Sequence, residues 1–310
     1  MSDSPSIGVW LNPETADLVG RILDDTCLKI THVGGPRSGP VRALADPFNL
    51  TVTDDPRTLA RVPELDLLLV AGNFPASLAE SLPPDRPVLM TQPPVITGWT
   101  PPPRTLLMPS LMLDPAWDVR ADRLDQLSPP ETVQIDCGAG RDDAQAGALY
   151  AAWLALLELL PLPQTVHASC HQPAGSRTPD SLNHLTGHLV AHGQTEETGF
   201  ILHVGPGGGV WHHRLLINGR SGHLIARHTG EGVYADDGDH RDTWPVPNPS
   251  MHERIADACR KLLSDRPLPT SDLTARRHAE VLACAQASLL SARTGEPEAP
   301  AKLLAIDAQP

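Results

Sequence analysis

"SIGVWLNPETADLVGRIL", residues 6–23, sets an apolar strand directly before an amphipathic helix. The predicted strand is "SIGVWL" (6–11), and the predicted helix from Pro13 to Asp24 carries proline in its first turn, where no backbone N–H is needed. A strand-to-helix turn that accepts a pyrophosphate uses glycines for the tight bend, the close approach of the backbone and the packing of helix on strand. None stands between Gly8 and Gly20; the turn offers Trp10, Leu11, Asn12, Pro13 and Glu14 instead. The chain thus opens like a doubly wound sheet that lacks the usual phosphate-binding loop.

The same alternation continues outward. "LKITHVGG" (28–35), "LTVT" (50–53), "ELDLLLVAGN" (64–73) and "PVLMTQ" (87–92) read as strands, while "SGPVRALADPFN" (38–49), "PRTLARV" (56–62) and "PASLAESL" (75–82) read as helices. Strands that are apolar throughout and alternate with helices imply a parallel sheet covered on both faces. The fold class is therefore α/β, with a Rossmann-like doubly wound domain over residues 1–105. The character changes at the proline-rich "TQPPVITGWTPPPRT" (91–105), read as a crossover. Beyond it, residues 106–310 are expected to form an α+β domain with a largely antiparallel sheet. Its elements are the strand "ETVQIDC" (131–137), the apolar helix "AGALYAAWLALLELL" (146–160), a run of strands from Thr165 to Arg227 and two closing helices. "FILHVGPGGGVWHHRLLINGRSGHLIARH" (200–228) reads as a meander with Gly-rich turns. The closing helices, within 249–265 and 273–294, present Ile255, Cys259 and Leu262, and Val281, Ala285 and Leu289, on one face each.

Composition narrows the function. At 310 residues and 40% hydrophobic, the chain can build one large or two medium cores. No apolar run reaches about 18 residues and "MSDSPS" lacks the segments of a signal peptide, so a cytoplasmic protein without a membrane partner is expected. The cysteines Cys27, Cys137, Cys170, Cys259 and Cys284 show no C-x-x-C spacing and read as reduced and structural. A net charge of −13 argues against a nucleic-acid partner, which clustered Lys and Arg would serve.

The order of elements resembles the glucose-fructose oxidoreductase, inositol dehydrogenase and MocA family (Gfo/Idh/MocA). "ELDLLLVAGN" is similar to the family strand that ends in an I-A-T-P-N-like turn, and "RPVLMTQPP" (86–94) stands where the family has V-L-x-E-K-P. "RLLINGRSGHLIAR" (214–227) resembles the strand pair around an x-G-x-x-G turn. "AQASLLSARTGEP" (285–297) resembles the closing helix, S-x-x-T-G and final strand. The resemblance implies NAD or NADP as cofactor, a sugar or polyol as the small polar ligand, and a homo-oligomer formed through the C-terminal sheet. It places Leu11, Asn12, Gly34, Arg37, Ala71, Asn73 and Gln92 around the cofactor.

Three departures bear on chemistry. The family's catalytic lysine of E-K-P is matched by Gln92, within Thr91-Gln92-Pro93, and the chain's only lysines are Lys29, Lys261 and Lys302. A neutral amide can hydrogen-bond a hydroxyl but cannot move a proton as a tuned Lys does. The family's D-x-x-x-H pair falls on Gly147 and Ala151, and residues 144–157 contain no Asp, Glu or His. Finally, Pro13 and Glu14 replace the phosphate-facing amides, and a carboxylate at a helix N-terminus competes with an anion. In "VGGPRSG" (33–39) Gly34 and Gly35 replace the ribose-binding acid, leaving Arg37 to meet a 2′-phosphate or stay solvated. The stretch after the E-K-P segment is also compressed, with little room for the family's additional helix and strand.

Other groups read as structural. Zinc would need three or four converging ligands from "VWHHR", His223, His228 and "DDGDH" (Asp236, Asp237, Asp239, His240). Adjacent His212 and His213 face apart on a strand, so we read a polar sheet face and an acidic loop, with no metal. "GPGGGVW" (205–211) lacks G-K-[ST] and reads as a hairpin turn. Cys170 and His171, as strand neighbours, cannot act together as nucleophile and base. Two readings of function follow. In one, the chain is a degenerate pseudoenzyme that keeps the fold for a small ligand or a partner. In the other, it is an active NAD(P)-dependent oxidoreductase acting on CH–OH groups through replacements such as Gln92, Tyr150 or His184.

Overall fold

The structure is a computed structural model and describes residues 5–25, 28–36, 38–72, 75–92, 94–95, 99–102, 104–109, 117, 127, 129–140, 145–172, 179–209, 212–228, 233–244, 250–264 and 274–307. Its chain divides into two compact units, residues 1–113 with 249–275, and residues 114–248 with 276–310. Among the described residues no helix is long and apolar enough to cross a membrane.

The first unit is a six-stranded parallel sheet of β1 (Ser6–Leu11), β2 (Lys29–Gly34), β3 (Thr51–Thr53), β4 (Leu67–Ala71), β5 (Val88–Met90) and β6 (Thr105–Leu107), in the order β3-β2-β1-β4-β5-β6. Helices α1 (Ala16–Asp25), α2 (Ser38–Ala45), α3 (Pro56–Ala60) and α4 (Ala76–Ala79) join the strands. The uniformly apolar β4 is buried at every position, as a strand covered on both faces must be. On one face Val9, Leu11, Leu67 and Leu69 pack with Val19 and Ile22 of α1. On the other, Gly8 lies beneath Leu65 and Leu59, where a Cβ would come within 2.5 Å of the Leu65 side chain.

Two features of the first unit differ from the reading of the sequence. β6 begins at Thr105, the last residue of the stretch read as a crossover; its three residues, one position after Pro101-Pro102-Pro103, are too short a run to show a period. A sixth strand thus stands in the region read as having little room for a further helix and strand. The helix Ser250–Leu263, which lies past residue 105 in sequence, belongs to the first unit: its Ile255, Cys259 and Leu262 join the core beside α1.

The second unit is an eight-stranded sheet: β7 (Pro130–Gly140), β8 (Thr165–His171), β9 (His188–Gln194), β10 (Gly199–Gly209), β11 (His212–Gly219), β12 (Gly222–His228), β13 (Val233–Asp236) and β14 (Arg241–Trp244). Their order is β14-β13-β12-β11-β7-β10-β9-β8, antiparallel except where β10 runs parallel to β7. Two meanders thus flank β7, and "GPGGGVW" is not a hairpin turn. β10 bonds to β7 and β9, and β11 bonds to β7 and β12, so β7 fills the position between them. Val210 and Trp211 lie outside the described residues.

One face of this sheet carries Val133, Ile135, Phe200, Leu202, Val204, Leu215 and Ile217, all buried. Packed with it is α5 (Gln145–Leu159), apolar all round and buried on every side over most of its length. Trp153 of α5 meets Phe200 edge-on, with ring centroids 5.4 Å apart. Its indole N–H donates to Ser288 Oγ (3.1 Å) on the long helix Ala275–Thr294. With Ser250–Leu263 as α6 and Ala275–Thr294 as α7, the chain ends in a further helix, α8 (Pro300–Asp307). The expected final strand is reduced to one antiparallel bridge, Glu298 to Val166; after it, the alanine- and leucine-rich "PAKLLAID" favours a helix.

Candidate nucleotide-site edge and acid-base helix

In an open parallel sheet a ligand sits beyond the carboxyl ends of the strands, where the strand order reverses. Here that point lies between β1 and β4, which pair from Ile7↔Leu67 to Leu11↔Ala71. The structure thus brings Leu11 and Ala71 side by side, with Asn12 and Gly72 just beyond them. Gln92, half-buried, follows β5 at the same edge, and its neighbour Thr91 is tied down by an N–H bond to the Val70 carbonyl (3.0 Å). Arg37 and Asn73 lie outside the described residues.

At this edge Asn12 and Thr15 bond to one another. Residues Pro13–Thr15 form a 3₁₀ turn that leads into α1. The Asn12 amide donates to Thr15 Oγ1 (3.2 Å), the Thr15 hydroxyl donates to the Asn12 carbonyl (3.0 Å), and the Thr15 amide donates to that same carbonyl (3.0 Å). Pro13 has no N–H to offer. Asn12 is 8% exposed and is lodged against Gly72, where a Cβ would sit 2.8 Å from its side-chain oxygen.

The neighbouring glycines serve the same close packing. At Gly34 a Cβ would come within 2.9 Å of the Trp10 ring and 3.0 Å of the Thr53 carbonyl, so no side chain, acidic or otherwise, fits there while Trp10 stays in place. At Gly35 a Cβ would run into the Leu11 carbonyl and approach Val41 at 2.8 Å. A pyrophosphate held in the glycine-loop manner needs outward-facing amides and open space at the helix N-terminus. The donor set found at Asn12–Thr15 does not fit that group.

The acid-base positions lie on α5 in the second unit. Gly147 and Ala151 stand one turn apart; Ala151 is buried, while a Cβ at Gly147 would meet nothing within 4 Å. Tyr150 is fully buried, and its hydroxyl pairs with Nδ1 of buried His278 at 2.7 Å. Burial pushes the Tyr150 phenol well above its ordinary value, so it remains protonated and structural. His184 is exposed at the end of a 3₁₀ turn, with Nδ1 3.7 Å from Asp180.

The remaining candidates are occupied locally. Asp236 Oδ1 accepts the Gly238 amide, and Asp237 Oδ1 accepts the amides of Asp239 and His240, which makes "DDGDH" a self-capped hairpin turn between β13 and β14. His213 is buried in β11 and His223 half-buried in β12. Among the described residues no three His, Cys, Asp or Glu side chains group as a metal site. Cys170 is half-buried: its sulfur accepts from Gln172 Nε2 (3.0 Å), and desolvation raises its thiol. Cys137, Cys259 and Cys284 are buried free thiols, and Cys27 lies outside the described residues.

No protein-family model matches the chain, and no curated protein sequence does. Solved structures do. The chain is similar to scyllo-inositol dehydrogenase from Lactobacillus casei, solved with bound NAD(H) and scyllo-inositol, at 12% identity and a TM-score of 0.71 over 96% of this chain and 100% of that one. It is similar to a myo-inositol dehydrogenase from Corynebacterium glutamicum at 13% identity, with a TM-score of 0.69 over 96% and 98% of the two chains. GenD2 from gentamicin A biosynthesis, solved in complex with NAD, matches at 17% identity and a TM-score of 0.68 over 96% and 97%. The chain has the two-part fold of the inositol dehydrogenases and related oxidoreductases.

Proposed function

We propose that this chain is a catalytically degenerate, Gfo/Idh/MocA-like protein that keeps the dehydrogenase fold to bind a small polar molecule or a partner. The observation that carries the reading is the turn at Asn12–Thr15, whose Asn12 and Thr15 amides are bonded within the turn and whose asparagine fills the space against Gly72. In the first unit Gln92 stands where the resemblance expects a proton-shuttling lysine and Trp10 covers Gly34; in the second unit Gly147 and Ala151 stand where it expects an acid-base pair. The replacements considered for an active enzyme gain nothing from their settings. Tyr150 is sealed against His278, and His184 is exposed beside Asp180.

The reading is tested by thermal unfolding of the full chain with NAD⁺, NADH, NADP⁺ and NADPH at millimolar concentration. A dinucleotide present at 100 times its dissociation constant would stabilise the fold by about 2.7 kcal/mol. The expected result is no shift with any of the four. A clear rise with one of them overturns the reading and returns the chain to the NAD(P)-dependent oxidoreductases acting on a sugar or polyol.

A further inference from the structure

The face of the eight-stranded sheet opposite α5 is rich in histidine, and one pair on it has the spacing of metal ligands. The registers of β8 with β9, β9 with β10, and β10 with β7 place His167, His171, His188, His192, His203 and Asp136 on that face. His188 and His203 lie with ring centroids 5.5 Å apart and planes 12° from parallel, and Nδ1 of His188 is 3.3 Å from Nε2 of His203. Two nitrogens bound to one tetrahedral zinc at about 2.0–2.1 Å stand about 3.3 Å apart.

Two further observations describe a fitted position. Nδ1 of His203 faces Asp136 Oδ1 at 3.9 Å, and Asp136 is itself held by Gln134 Nε2 at 3.1 Å to both oxygens and by Arg214 at 3.8 Å. The Asp136 charge, 3.9 Å away and beyond hydrogen-bond reach, favours the His203 tautomer with its proton on Nδ1; His203 Nε2 then faces His188 Nδ1 across a hydrogen-bonding distance of 3.3 Å that a metal ion would bridge. On β10, Gly205 lies beneath the His188 ring, and a Cβ there would come within 2.5 Å of its Nδ1. Glycine at 205 thus leaves room for the ring to stand beside His203.

We propose that His188 Nδ1 and His203 Nε2 form a two-histidine site for a divalent transition metal of the zinc class, with Asp136 as positioning residue. Imidazole pairs suit Zn²⁺, Ni²⁺ and Cu²⁺. Neutral His188 takes up the metal by carrying its proton on Nε2, and the remaining coordination positions face outward from the sheet. The site uses none of the residues considered for the nucleotide or the acid-base pair, so it stands or falls apart from that reading.

The test is calorimetric titration of the chelator-stripped full chain with ZnCl₂, beside His188→Ala, His203→Ala, Asp136→Asn and His167→Ala. His188 is exposed and His203 half-buried, and unchanged thermal unfolding midpoints check that the variants fold. The expected result is one ion per chain, with binding at least about tenfold weaker in either histidine variant and weaker in Asp136→Asn, and unchanged in His167→Ala. No Zn²⁺ uptake by the wild-type chain, or His188→Ala and His203→Ala titrating like it, overturns the proposal.

Discussion

Asn12 and Gly72 form the contact on which the functional reading turns. The asparagine side chain occupies the space that glycine leaves open, and the amides of residues 12 and 15 end inside the turn. Buried thiols give the residue scale its pH dependence. Desolvation pushes Cys137 and Cys259 up to about 12 from a thiol's ordinary 9.0, so the folded chain holds those protons when the unfolded chain has released them. Their contribution to stability is fully present below pH 9 and is lost as the pH rises towards 12. Denaturant melts across that window are expected to show stability falling with pH, and Cys259→Ala to fall less steeply; equal slopes would refute the assignment.

At the scale of elements, α5 fixes the second unit. Trp153 is fully buried, packs edge-on against Phe200 and bonds Ser288, whose hydroxyl donates onward to the Cys284 carbonyl (2.8 Å). Trp153→Ala is expected to destabilise the fold by about 3–5 kcal/mol, read from chemical denaturation, through a cavity and a lost hydrogen bond. Its sequence announces this helix, because thirteen residues without a charge from Gln145 to Leu157 can only be buried. β1, β4 and β5 were legible for the same reason: their apolar runs exceed what one covered face requires. β6 was not, since three residues after prolines carry no period. The place of β7 between two meanders was not either, since alternation along a strand says which face is buried and nothing about which strands lie beside it.

For the whole molecule, the chain leaves the first unit and returns to it through α6, a path invisible to a reading that assigns each stretch to the domain in which it falls along the sequence. Ile255, Cys259 and Leu262 already shared a face in the sequence; only the structure supplies α1 as their neighbour. The candidate site was legible by subtraction. Missing glycines, lysine and acid-base residues could be read from residues 10–14, 92 and 144–157. That Thr15 would satisfy the Asn12 amide, and that Trp10 would cover Gly34, required the folded positions.

The central claim, that this fold keeps a closed turn where its structural relatives' architecture offers a ligand edge, is tested most directly by amide hydrogen exchange over residues 11–16, with and without NADH. A self-bonded turn predicts that the Asn12 and Thr15 amides are protected in the free protein and that NADH leaves their exchange unchanged. Rapid exchange of those amides in the free protein, slowed when NADH is added, would contradict it.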